Sequence, residues 1–367
     1  MKKSLKQLIG SVIFVCGAIV MFIGISYVLR PLDMGNRTAL SGFYAEEDHT
    51  LDIVTLGSSG AYRFINNPLL WKEYGITSYN LATGNQQAYM HEMLVNEIMK
   101  TQTPDLIIVE TRPYVLYNDE PKEMEIRFRR VSDYMNYSLD RIKYINEFTD
   151  DPTLRFNLYF DIMFYHGEWE KFDLTKLVNA DNNEKLDLKG WQGNFSRVPQ
   201  NPPLTMENPA FEAINENNER ELYELIEYCE QRGIQLVFVA TPWQMTESRI
   251  ARYRYLEDIL AKKGYALLNC NDHVEEIGLD YNTDFGDPKH TNTYGAEKVT
   301  RFIADYIVEN YELDLTHTKR TKKEWDKVWQ VYCDEKVAAE QKALEKATEE
   351  KEPVQSETGE EDEEVDS

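Results

Sequence analysis

The strongest constraint on the fold is a repeated unit, a short apolar run followed by a helical pattern. "LDIVTLG", "PDLIIVE" and "IQLVFVATP" stay apolar through their centres instead of alternating with polar residues. A half-exposed strand would alternate with a period of two, so such runs suit strands buried on both faces. "NQQAYMHEMLVNEIMKTQ" sets Ala88, Met93, Leu94 and Ile98 at helical spacing. "ENNERELYELIEYCEQRG" is amphipathic up to Gly233, and "RYRYLEDILAKKG" stops at Gly264 before the strand "YALLNC". A glycine that closes a helix and opens a strand is common αβ punctuation. With "NPLLWKEYG" and "ITSYNLA" completing the series, the order predicts an α/β fold. The expected architecture is a flavodoxin-like, doubly wound three-layer αβα sandwich with about five parallel strands.

Two segments break this rhythm. One is the uncharged run that begins at Leu8 and ends at Leu29, preceded by Lys2, Lys3 and Lys6. About 20 such residues cross a bilayer as a helix, and flanking lysines favour the cytoplasmic side. A cleaved signal peptide has a shorter apolar region and a small-residue exit. Residues 8–29 are therefore expected to be an uncleaved transmembrane signal-anchor, with residues 1–7 cytoplasmic and the remainder extracytoplasmic at the cell membrane. Residues 30–50 read as a linker, and 51–313 as the α/β domain. The other segment is an insertion at 118–215, too long for a βα loop and rich in aromatic stretches such as "YMNYSLDRIKYINEF". It reads as a helical cap over the crevice. Residues 314–352 are expected to form a charged helical extension and 353–367 an acidic disordered tail.

A formal charge of −24, from 40 basic and 64 acidic residues, argues against nucleic acid as a partner. Of four cysteines, Cys16 lies in the apolar run. Cys229 shares an apolar helical face with Leu222, Leu225 and Ile226, while one bridge among Cys229, Cys270 and Cys333 stays open. No group of residues has metal-ligand spacing, since His166 with Glu168 and Glu170 is too little, so neither metal nor cofactor is expected.

In open α/β sheets the active crevice lies beyond the carboxyl ends of the strands. Gly57-Ser58-Ser59 ends the first strand there, Asn80 to Gln86 the second, and Glu110-Thr111-Arg112 the third. Thr241-Pro242-Trp243 follows the fourth and Asn271-Asp272-His273 the fifth. "DFGDPKHTNTYGAEK" then sets Asp287 and His290 three residues apart, before a helix capped by Asn292 or Thr293. A carboxylate can fix the imidazole tautomer while the other ring nitrogen takes a serine proton. Adjacent residues such as Asp272 and His273 point apart along an extended chain and make a poorer pair.

These blocks, in order from Asp52 to Asn310, make the chain resemble the SGNH/GDSL hydrolase superfamily. "DPKHTNTYGAEK" is close to that family's D-x-x-H-x-N-x-x-G-x-x-K ending. The resemblance implies Ser59 as nucleophile, His290 as general base and Asp287 as its orienting acid, with Ser58 left to the turn. It implies an oxyanion hole from the Ser59 and Gly84 backbone. The family's third block, with its asparagine, is replaced by "VETRPY", so Asn85 or Arg112 is the candidate substitute. Arg112 and Trp243 are possible substrate contacts. The anchor together with "LGSS" is similar to the membrane-tethered branch typified by the D-alanyl-lipoteichoic-acid biosynthesis protein D. That likeness implies an esterase or O-acyltransferase working on an acylated surface glycan or polymer, beside a membrane-bound O-acyltransferase. The alternative is a catalytically silent module of the same fold that binds glycan or that partner.

Overall fold

Five parallel strands form one sheet in the order β2-β1-β3-β4-β5: β1 (Ile53–Gly57), β2 (Ser78–Ala82), β3 (Leu106–Glu110), β4 (Leu236–Ala240) and β5 (Leu267–Asn269). This computed structural model describes residues 2–29, 39–116, 121–171, 185–201, 204 and 210–349. The expected acidic tail, 353–367, and residues 30–38 of the expected linker lie outside the described residues.

Every residue of β1 to β4 is buried. Alternate side chains enter two separate cores. Val54, Leu56, Ile107, Val109, Leu236 and Phe238 share one core. Ile53, Leu106, Ile108, Val237 and Val239 share the other. That two-sided burial is why the strands carry no polar alternation. The chain order reverses at β1/β3, so a crevice opens beyond the ends of those two strands.

The helices run in chain order as follows. α1 (Lys2–Leu29) contains a 22-residue segment, Leu5–Ser26, of mean hydropathy 2.7, long and apolar enough to cross a membrane. α2 (Ala39–Tyr44), α3 (Ser59–Tyr62), α4 (Asn67–Tyr74), α5 (His91–Thr101) and α6 (Arg112–Leu116) bring the chain to the insertion. There α7 (Pro121–Ser132), α8 (Leu139–Phe148), α9 (Pro152–Tyr159) and α10 (Ile162–Tyr165) form a helical unit, followed by a 3-10 turn, His166–Lys171. α11 (Glu216–Glu230) and α12 (Glu247–Lys262) join α5 against the first core. α13 (Val274–Ile277) and α14 (Thr293–Asn310) cover the other core together with α4. α15 (Lys319–Glu349) ends the described chain.

Ser138 and Asp151 cap α8 and α9 with side-chain oxygens, which sets where each helix of the insertion begins. The rings of Phe128 and Phe148 stack at 4.1 Å, joining α7 to α8. Buried Arg141 is the polar hub. It donates to the Ser132 and Leu158 carbonyls and reaches Asp161 at 2.8 Å, so α7, α8, α9 and the start of α10 are held as one piece. α15 is more than an extension. Trp325 is buried against Trp71 with ring centroids 6.0 Å apart, and Tyr332 against Trp191 at 5.2 Å. All four cysteines are free thiols, and burial pushes Cys229 and Cys270 up to about 12. The bridge left open by the sequence is not formed.

Candidate active site

The site begins where β1 stops. Gly57 has φ +146, a conformation that side chains rarely adopt, and Ser58 then caps α3 by accepting from the Gly60 N–H. Ser59 is therefore the first residue of a short helix, where a backbone N–H has no intrahelical acceptor. Ser58 is the buried turn residue and Ser59 the partly exposed one, at the mouth of the crevice.

His290 comes from the far end of the chain. β6 (Phe285–Asp287) and β7 (His290–Thr291) form a small antiparallel hairpin ahead of α14, whose N-cap Asn292 accepts from the Tyr294 and Gly295 N–H groups. The hairpin folds Asp287 back on His290, with Oδ2 2.9 Å and Oδ1 3.0 Å from Nδ1. His290 Nε2 lies 2.7 Å from Ser59 Oγ. The three side chains form one hydrogen-bonded line.

The charges suit proton transfer from serine. Burial, then the nearby Arg112 guanidinium, hold the His290 imidazole down at about 4 against the pull of Asp287, so it is neutral at pH 7. Burial of Asp287 pushes its carboxyl up, but the bonds from His290 and the Lys289 N–H outweigh this and leave it below the ordinary value. With Asp287 accepting from Nδ1–H, Nε2 keeps a lone pair facing the serine hydroxyl.

The residues that shape the turn are ones to which the sequence reading gave no such role. Glu110, at the end of β3, is fully buried and accepts from the Ser58 N–H, the Ser58 hydroxyl and the Arg112 N–H at 3.0–3.1 Å. It needs glycine on both sides. A Cβ at Gly57 would come within 2.6 Å of Glu110 Cβ, and one at Gly60 within 2.5 Å of its carboxyl carbon. "GSSG" is thus the cradle of a buried carboxylate. Gln86 Oε1 accepts from the Gly57 N–H at 2.8 Å while its amide donates to the Leu81 carbonyl, tying the ends of β1 and β2 together. An acid that closes an apolar strand is the one sequence signal that marks Glu110.

Gly57 pairs with Ala82 across β1 and β2, so Ser59 and Gly84 each follow by two residues and leave the sheet side by side. The Gly84 carbonyl accepts from Arg130 of α7, which ties the insertion to this turn. Asn85 holds φ +57 and is exposed. The β3 end supplies no amide side chain, since Thr111 bonds to the Val239 carbonyl through both its N–H and its hydroxyl.

Arg112 and Trp243, the possible substrate contacts, are 2% and 3% exposed. The Arg112 guanidinium lies 4.9 Å from both the Phe64 and Trp243 ring centroids, and Arg249 lies 4.6 Å from the Trp243 ring. Two arginines thus make cation–π contact with the Trp243 indole. Asp272 and His273 do not pair. Asp272 accepts from Asn269, and His273 lies 2.8 Å from Glu276. His166 is exposed, with Nδ1 near the Met163 carbonyl. Residues 185–201, within the segment expected to be a helical cap, are irregular and form an ordered wall. Arg63 donates to the Gln192 and Gly193 carbonyls, the Asn194 carbonyl accepts from Thr293, and the Ser196 carbonyl from Asn292.

No protein-family model matches this chain, and no curated protein matches it. One similar solved structure is described as a lipolytic protein of the G-D-S-L family from Desulfitobacterium hafniense DCB-2. It is 8% identical with a TM-score of 0.35, over 69% of this chain and 97% of the other. A likeness this distant says nothing about the chemistry.

Proposed function

We propose that this chain is a membrane-anchored serine esterase or O-acyltransferase of SGNH type, acting on an acylated cell-envelope glycan or polymer. The Ser59–His290–Asp287 line with its neutral imidazole is the observation that carries this reading. Ser59 Oγ attacks the acyl carbonyl carbon as its proton passes to His290 Nε2. The oxyanion develops against the Ser59 and Gly84 backbone N–H groups, with Asn85 beside them. Collapse expels the alkoxide, which takes the proton from Nε2 and leaves an acyl-Ser59 ester. Water or a sugar hydroxyl, deprotonated in turn by His290, then releases the acyl group. Asp287 orients the ring throughout.

The reading places α1 in the cell membrane with the N-terminal lysines inside and the α/β domain outside, next to a membrane-bound O-acyltransferase. Wild-type protein should hydrolyse an aryl acetate and be labelled by a fluorophosphonate, and Ser59→Ala should bring both to background. Equal labelling of that variant would overturn the mechanism.

A second reading, a silent module that binds glycan or the membrane partner, draws support from one observation. No amide side chain stands at the end of β3, and loss of a single hole donor costs roughly 100-fold or more in rate. A wild type that binds glycan yet never labels would favour it.

A further inference from the structure

We infer that the corner formed by α9 and α10 is itself a membrane-contacting surface, embedded at the outer edge of the bilayer beside α1. The inference rests on the proposed anchoring of α1 and extends it to a part of the chain that the sequence assigns to a cap.

The level of the contact along α1 carries the argument. The rings of Phe22 and Phe160 meet with centroids 5.6 Å apart, and the Ile162 N–H donates to Ser26 Oγ at 3.0 Å. Ser26, Val28 and Leu29 are buried, whereas α1 from Leu5 to Gly17 is exposed. Phe22 lies sixteen residues beyond Lys6. At 1.5 Å per residue that is ~24 Å along the helix. The hydrocarbon core is ~30 Å thick, so a lysine held at the inner boundary leaves Phe22 below the outer one. Phe160 touches Phe22 and must lie at the same depth. The insertion therefore cannot stand clear of the lipid.

The side chains on this corner fit that setting. Phe156, on α9, and Met163 and Phe164, on α10, are 44–47% exposed. They cluster beside Phe160, with the Phe156 and Phe160 rings 5.0 Å apart. The Arg129 guanidinium lies 4.3 Å from the Phe164 ring. Arg129 is itself buried and paired with Glu125 and Asp133, so it holds the Phe164 ring from inside and leaves the exposed aromatic and sulfur side chains to face the lipid boundary. The bilayer is the chosen occupant because this patch continues the exposed surface of α1. Arg130 of the same unit holds the Gly84 carbonyl, so seating the corner also sets the height of the crevice above the membrane.

The test uses the full chain in nanodiscs, with Cys16 and Cys333 replaced by serine, which leaves only buried cysteines. Met163→Cys, Phe156→Cys and, as an exposed control, Asp150→Cys are each labelled with an environment-sensitive fluorophore. Lipid carrying a nitroxide high on its acyl chain serves as the quencher. Labels at 163 and 156 should be quenched at least twofold more than the label at 150. A separate sample labelled at native Cys16, in lipid carrying the nitroxide deep on its acyl chain, reports whether α1 is inserted, because Cys16 lies ~15 Å beyond Lys6. If Cys16 is quenched while 156 and 163 behave like 150, the corner does not touch lipid and the inference is wrong. A blue-shifted label at 163 that lipid does not quench also overturns it, pointing to contact between copies of the protein. If Cys16 itself is not quenched, the anchoring falls and this inference with it.

Discussion

At Ser59 the hydroxyl lies 2.7 Å from an imidazole that burial and Arg112 keep neutral, and that fixes how activity should depend on pH. The acid limb of kcat/KM for an aryl acetate should fall near pH 4, well below the 6.5 of an ordinary histidine. Arg112→Met removes the nearby cation and should move the limb upward, while Arg112→Lys should leave it low. A pH–rate profile of the three proteins decides this. Because the folded value is depressed, the same histidine contributes stability above pH 6.5 that is lost as pH falls towards 4. Glu110 supports a second prediction. Gly60→Ala drives a Cβ to within 2.5 Å of its carboxylate. The variant should lose ~1–3 kcal/mol in urea denaturation together with its fluorophosphonate labelling.

Among the elements, the insertion and α15 depart furthest from what their sequences suggest. α15 is strongly charged, yet Trp325 is buried against Trp71 beneath it, and Trp71 Nε1 donates to Asp326 at 3.1 Å. Trp325→Ala should cost ~3–5 kcal/mol, measured by urea denaturation, as expected for a core tryptophan. A helix of solvating charge would lose almost nothing. In the insertion, Arg130→Ala frees the Gly84 carbonyl and should lower kcat by on the order of tenfold, since small misplacements of a reacting group are costly. Its Tm should barely change. The strands and core helices were legible because burial on two faces imposes a local pattern. Ser59, Asp287 and His290 were legible for a related reason, each lying within a few residues of a strand end or helix cap. Glu110, Gln86 and Arg63 were not, since each acts on residues 29 to 130 positions away and carries no local signature.

Over the whole molecule, pH acts on stability through opposing groups. Burial pushes the Asp52 carboxyl up to about 6, against the bonds from Thr77 and the nearby His317. A raised carboxylate contributes stability below its unfolded value near 4 and loses it as pH rises through 6, opposite in sign to His290. Asp52→Asn should therefore remove the decline in Tm between about pH 4 and 6 and leave the His290-dependent rise more visible. Thermal melts across that range check it. The pair also links distant chain, because Asp52 opens the sheet and His317 precedes α15.

The sequence by itself determined the parallel sheet, the apolar N-terminal helix and the candidate set Ser59, His290 and Asp287. The first two follow from periodicity and length, and the third from polar blocks at strand ends together with the resemblance of "DPKHTNTYGAEK" to a family ending, all carried by neighbouring residues. Only the tertiary structure decided that "GSSG" cradles Glu110, that Arg112 packs on the buried Trp243 ring, and that the insertion packs on α1 beside Phe22. Those outcomes depend on which surfaces meet once the sheet is wound. Contacts between residues far apart in the chain leave no spacing for a reader of the sequence to find.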